Sequence, residues 1–279
     1  HWIVWYILRD NMSSKTAQLS LLSLVMITVV SVDSVRNLPA LALFGHQLIS
    51  VYLLAVLFFL LPSAWVISYF TQSLKGDCGI YHWISHVLGP KWGVYAIWIQ
   101  WSNNLIWYPT ILSFIAATLG YFFSPDLINN RHYIAYSTII IFWLLTLLNL
   151  RGIQLSAKFS TLCTACGLVI PMALIILAGC IWGLSGKTIA TTWWQLDWPH
   201  WNETSSWVAL TAVILSFCGM EVATVHAQEV NNPQTTFPRA LYLSSLFIFI
   251  TLLGGALAIA TILPHDSINL VGGIMQMMD

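Results

Sequence analysis

Seven runs of apolar residues, each long enough to cross a lipid bilayer, dominate this sequence: 19–44, 48–70, 92–122, 132–150, 157–184, 207–230 and 238–263. A hydrocarbon core of roughly 30 Å takes about 20 residues of α-helix. Inside lipid every backbone N–H and C=O must find a partner within the protein, so consecutive runs of this kind fold as a helical bundle. Composition agrees: the 279 residues are 58% hydrophobic and 7% charged, far below the charge content of a soluble domain. The chain reads as an all-α polytopic membrane protein.

Ten lysines and arginines balance ten aspartates and glutamates. With no basic stripe to follow a phosphate backbone, nucleic-acid binding is excluded. Four of the five cysteines fall inside apolar runs and are expected to serve packing rather than a disulfide framework. Placing the N-terminus in the cytoplasm puts Arg9, Lys15, Lys75, Lys91, Arg151, Lys158 and Arg239 inside, and only Arg131 and Lys187 outside. That asymmetry predicts an N-terminus-in protein of the cytoplasmic (inner) membrane. Trp193, Trp194, Trp198, Trp201 and Trp207 then gather at the outer interface as an aromatic belt.

Two runs are interrupted. The first contains "SVDSVRNLPA" (31–40), which sets Asp33, Arg36, Asn37 and Pro39 near its centre. A mid-membrane charge costs about 2.5–3.5 kcal/mol on insertion scales, and proline removes a helical hydrogen bond. The sixth reads "LSFCGMEVATVHAQEVNNP", with Gly219 and Glu221 near mid-depth and His226 and Glu229 beyond. Runs one and six cross the membrane in opposite directions. Paired interruptions at matching places in inverted repeats mark the binding site of a secondary transporter.

"GIYHWISHVLGPKWGVYAIWIQWSNNLIWYPTILSFIA" (79–116) and "SFCGMEVATVHAQEVNNPQTTFPRA" (216–240) resemble the third and sixth helices of amino acid permeases in the amino acid–polyamine–organocation superfamily. The glutamate/γ-aminobutyrate antiporter group is the nearest likeness, through "HxxExxNP" at 226–233 and a tail like "INLVGGIMQ" at 268–276. The resemblance implies a LeuT-type five-plus-five inverted-repeat fold, here running through about seven of about twelve helices. It implies 12–184 as the first five-helix repeat, 185–206 as an extracytoplasmic loop, and 207–279 as the start of the second repeat up to the entry of the eighth helix. Residues 1–11 precede Met12 and its polar "MSSKTAQLS", and are expected to be a non-native leader. One departure stands out: the family's glycine-rich first-helix break is replaced by "VDSVRNLP", with no glycine between Ser20 and Gly45.

The implied function is secondary transport of an amino acid by alternating access, as exchanger or proton-coupled permease, and not an enzyme. A non-transporting truncated membrane protein or an amino acid sensor is the alternative. The amides of Asp33, Ser34, Val35, Arg36 and Asn37, ahead of a half-helix opened by Pro39, suit an α-carboxylate. The backbone of Phe217, Cys218, Gly219 and Met220 suits an ammonium group, and Phe217 doubles as a candidate gate. Asp33 and Arg36 either pair as a buried ion pair, or face a water-filled vestibule, or act separately, Arg36 on a substrate carboxylate and Asp33 in gating or proton coupling. Glu221 matches a family glutamate implicated in proton sensing, with a structural staple as the alternative. His226 and Glu229 are further candidates for coupling or gating, or for helix packing. Asn103, Asn104, Trp107 and Tyr108 either wall the pocket or bind neighbouring helices.

The expected partners are a small-molecule amino acid, the lipid bilayer and, if coupling is to protons, protons. No cofactor or metal is called for. "HWISH" (His82, His86) has ligand spacing without a ligand set, and "CTAC" (Cys163, Cys166) has redox spacing inside an apolar run. "GGAL" at Gly254 reads as close helix packing.

Overall fold

A computed structural model describes residues 20–74, 79–124, 126–127, 130–150, 162–186, 197–230, 232–264 and 268. Seven helical spans have the length and composition to cross a membrane: Leu21–Ala42, Gly45–Ser73, Pro90–Phe123, Arg131–Leu148, Leu162–Leu184, Thr204–Thr224 and Gln234–Ile262. They are numbered one to seven below. The all-α polytopic expectation holds. Residues 1–11, the tail motif at 269–276, Trp193 and Trp194, and most of the basic residues used for orientation lie outside the described residues.

The seventh span is the hub. Its most apolar stretch is 56% buried, against none for the fourth. It packs against the first, second and fifth spans, and its Leu241, Ile248, Leu252 and Ile259 are fully enclosed. Small residues bring the fifth span against it: a Cβ added at Gly179 would collide with the Cβ and Cα of Ala258. The third and fourth spans form a lateral pair whose aromatic side chains mostly face outward, as lipid-facing surface does.

Proline shapes two spans in the same way. Val56–Leu60 and Ala165–Val169 are π-helical turns, followed at two residues' distance by Pro62 and Pro171. A proline ring clashes with the carbonyl four residues back, here at Phe58 and Gly167, inside each π turn. The wider turn gives that carbonyl room, and the helix continues.

Between the second and third spans, Ile80–Leu88 forms a separate short helix. Trp83 anchors it, buried and stacked on Phe70 at 5.7 Å. The sixth span and the connector before it are tied to the second: Ser50 Oγ donates to the Asp197 carbonyl at 2.5 Å, and Ser206 Oγ donates to Gln47 Oε1 at 3.2 Å. These contacts set the sixth span beside the second, and the sixth also lies against the first.

Candidate functional site

The first span is two helices with a gap. Its opening helix, Leu21–Val32, is capped by Ser20, whose hydroxyl accepts from the Ser23 amide at 3.2 Å. At Asp33 and Ser34 the backbone is extended, with φ/ψ of −72/136 and −149/120. A 3₁₀ turn, Val35–Asn37, then leads into Leu38–Ala42, where Pro39 occupies the first turn as its missing N–H and fixed φ allow. The second piece is shorter than the sequence leads one to expect. Five α-helical residues align little more than one turn of peptide dipoles, so an anion here depends on side-chain charge more than on a macrodipole.

The sixth span stops at Ser216 and turns through Phe217, Cys218 and Gly219. Gly219 has φ +117°, and a Cβ there would sit 2.5 Å from the Ser31 carbonyl oxygen, so only glycine fits this approach. Beyond it the chain differs from the expected α-helix: Met220–Glu229 is a 3₁₀ helix. The tighter winding is matched by bonds to the third residue back, Val222 N–H to Gly219 C=O at 3.1 Å and Thr224 Oγ1 to Glu221 C=O at 2.6 Å.

The two breaks touch. Ser31 Oγ lies 3.1 Å from the Gly219 carbonyl and 2.8 Å from that of Thr28, so its proton is shared across the gap. Asp33 is 6% exposed. Thr251 of the seventh span donates to Asp33 Oδ2 at 2.7 Å, while Asp33 Oδ1 is buried without a hydrogen bond. Tyr52 of the second span is fully buried and packs edge-on against Phe217 at 5.7 Å. Its hydroxyl lies beside Ser216 and in the field of Asp33.

The other expected residues fall in several places. Arg36 is half-buried on its 3₁₀ turn and forms no ion pair with Asp33, so of the three arrangements open to that pair the mutual ion pair is absent. Val35 and Met220 are buried, Ser34, Asn37 and Glu221 half-buried, and Cys218 exposed. The side chains of His226 and Glu229 lie outside the described residues. Asn103, Asn104, Trp107 and Tyr108 are exposed on the third span and take no part in the buried cluster at the breaks. Asn104 and Tyr108 border a groove shared with Thr138, Phe142 and Trp143 of the fourth span instead.

Cys163, Cys166, Cys180 and Cys218 are free and exposed, and none of the four is in a disulfide. An apolar span buries only part of its circumference, and these thiols lie on the remainder. His82 and His86 are exposed on the short helix, and among the described residues no group of three potential ligands could hold a metal ion. Thr251 and Tyr52 were not legible beforehand. A hydroxyl in an apolar helix usually bonds its own backbone, as Thr251 does to Phe247 C=O at 2.8 Å, so its presence in the sequence signals nothing.

The chain is similar in sequence to known transport proteins. A family model described as amino acid permease matches residues 19–279. An uncharacterised transporter of Legionella pneumophila is 38% identical over 258 residues, 92% of this chain and 56% of that protein. A glutamate/γ-aminobutyrate antiporter of Lactococcus lactis subsp. cremoris is 27% identical over 263 residues, 93% of this chain and 52% of that protein. The putrescine transporter PotE of Escherichia coli K12 is 27% identical over 146 residues, 52% of this chain and 30% of that protein. The chain spans about half the length of the Legionella and Lactococcus relatives.

Proposed function

The chain belongs to the amino acid permease family, and on that premise we propose that it carries the solute-binding half of a secondary transporter for an amino acid or an amine. Transport proceeds by alternating access, as exchange or as proton-coupled uptake, across the cytoplasmic membrane with the N-terminus inside. Residues 12–184 serve as the first repeat and 207–279 as the opening of the second, joined by the loop at 185–206.

The observation that carries this reading is the meeting of two broken helices at Ser31 and Gly219, with a buried carboxylate beside them. Irregular backbone at membrane depth is tolerated where it serves a cavity or a ligand. The Arg36 guanidinium and the amides of 33–37 face the substrate carboxylate, and the turn at 217–220 faces its ammonium group. Thr251 supports coupling to protons: one hydroxyl lies within reach of both the Asp33 carboxylate and the Phe247 carbonyl. It donates to an ionised Asp33, or accepts from a protonated one while donating to its own helix. Glu221, His226 and Glu229 are the further candidates for that coupling or for gating.

Relatives named for glutamate/γ-aminobutyrate exchange and for putrescine transport support solutes of that chemistry. The test is counterflow into proteoliposomes holding the full-length protein, with labelled glutamate, 4-aminobutanoate and putrescine as solutes. Uptake of at least one against a preloaded gradient is expected, and Arg36→Ala should abolish it for solutes bearing a carboxylate. Unchanged kinetics in Arg36→Ala would remove Arg36 from the site; no exchange of any of the three would sink the transport reading.

A further inference from the structure

The fifth span carries a pair of thiols that neither core packing nor the helix breaks account for. Cys163 and Cys166 are free and exposed, although cysteine is among the residues most often buried in a core. Three residues apart on a helix, they lie on one face. The span begins at Leu162, so Cys166 stands only about 6 Å along the axis from its start. The face has room: a Cβ added at Gly167 would meet nothing within 4 Å. We propose that Cys163 and Cys166 form a two-thiolate site for a soft cation that takes sulfur ligands in pairs, copper(I) above all.

Helical spacing selects a bridging cation over a disulfide. Side chains at this separation hold their Cβ atoms about 5–6 Å apart. A disulfide needs about 3.5–4.5 Å and would have to distort the helix. Two metal–thiolate bonds of about 2.3 Å set their sulfurs up to about 4.6 Å apart, a span that the two side chains meet by choice of rotamer. Zinc is selected against. It takes four ligands, and among the described residues no group of three or more potential ligands stands together. Hard cations prefer oxygen and gain nothing here.

Binding moves no electrons. Each S–H gives its proton to water as the sulfur–metal bond forms, so two protons leave for each ion held. Two thiolates around a monovalent ion keep one negative charge, and a place near the end of the span leaves that charge close to water. The site also straddles a change of winding. Cys163 belongs to the α-helical turn at 162–164 and Cys166 to the π turn Ala165–Val169. A bridge between them ties this end of the span to its π turn, ahead of the segment that Met172, Ile175 and Gly179 hold in the core.

The experiment uses the full-length protein, purified in detergent and kept reduced by a reductant that is not itself a thiol. Copper(I) is titrated against a chromogenic copper(I) chelator, with zinc(II) as the second probe. One copper(I) per chain should be drawn from the chelator. Cys163→Ser and Cys166→Ser should each weaken binding by more than the roughly 10–100-fold that losing a supporting partner costs. Cys78→Ser and Cys180→Ser should bind as the unaltered chain does. Zinc(II) should bind at least about a hundredfold more weakly than copper(I). A reading that needs no variant is protection: one equivalent of copper(I) should shield both Cys163 and Cys166 from N-ethylmaleimide, mapped by peptide mass.

Full copper(I) binding in either serine variant at 163 or 166, or its loss in Cys78→Ser, overturns the site, as does alkylation of the two thiols unhindered by copper(I). Zinc(II) held as tightly as copper(I) overturns it too, since further ligands must then be present. So does ready closure of a Cys163–Cys166 disulfide by diamide, read as the loss of two hydrogens from the intact mass of the folded protein, because the helix would then permit the shorter bridge. Each of these outcomes leaves the transport reading standing.

Discussion

Substituting alanine for Gly219 tests the junction of the two broken spans directly. The new Cβ would stand 2.5 Å from the Ser31 carbonyl oxygen, where ordinary contact begins at 3.4 Å. One backbone must therefore retreat by about 0.9 Å. The Ser31 hydroxyl is already 3.1 Å from the Gly219 carbonyl, so that retreat takes their hydrogen bond out of range. Losing it costs about 0.5–1.5 kcal/mol. Holding alanine at a φ of +117° adds about 1–3 kcal/mol. Together the expected destabilisation is about 1.5–4.5 kcal/mol. It can be read by titrating detergent-solubilised protein with sodium dodecyl sulfate and following tryptophan fluorescence. Gly183→Ala is the control: no atom lies within 4 Å of its added Cβ, and the helix there should gain up to about 1 kcal/mol. A Gly219→Ala protein as stable as the unaltered one, within about 0.5 kcal/mol, would refute the close contact.

Gly179→Ala should cost about 1–3 kcal/mol in the same titration, since its Cβ meets Ala258 backbone and Cβ atoms that have no rotamer to escape into; a neutral effect would mean that the fifth and seventh spans are further apart. Thr251→Val removes the one hydrogen bond to the Asp33 carboxylate from another span and should destabilise by about 1–3 kcal/mol, with Thr251→Ser restoring most of the loss. Equal melting of the valine and serine variants would show that Asp33 does not rely on that hydroxyl.

The breaks were legible because they violate the rule the rest of each span obeys. Asp33, Arg36 and Pro39 are costly at mid-membrane, and Gly219 beside Glu221 repeats the anomaly in the sixth span, so position alone revealed them. What the gap contacts was not legible. Hydroxyls such as those of Thr251 and Tyr52 are cheap in an apolar helix, and nothing in the chain distinguishes one that serves its own backbone from one aimed at a neighbour. Rotation about the helix axis was equally hidden on the third span: its few polar side chains are scattered among apolar and aromatic ones, so no continuous polar face told which way Asn104 or Tyr108 points. The same uniformity concealed the outward placement of the cysteines. The 3₁₀ course of Met220–Glu229 was not legible because its apolar and polar residues alternate without a continuous face from which a period of three could be told from one of 3.6.

The link between Asp33 and Thr251 spans 218 positions in the chain. At a synthesis rate of 5–20 residues per second, the first span waits roughly 10–40 s before its partner on the seventh has even been made. Through that interval a carboxylate and an unwound stretch of backbone sit in the bilayer with the contact that will settle them still on the ribosome. The insertion penalty for such a residue, about 2.5–3.5 kcal/mol at helix centre, stands uncompensated for that time. The first span therefore needs a provisional shelter, from the insertion machinery or from the water-facing edge of the membrane, until the seventh arrives. Biogenesis, as much as turnover, is shaped by where that aspartate lies.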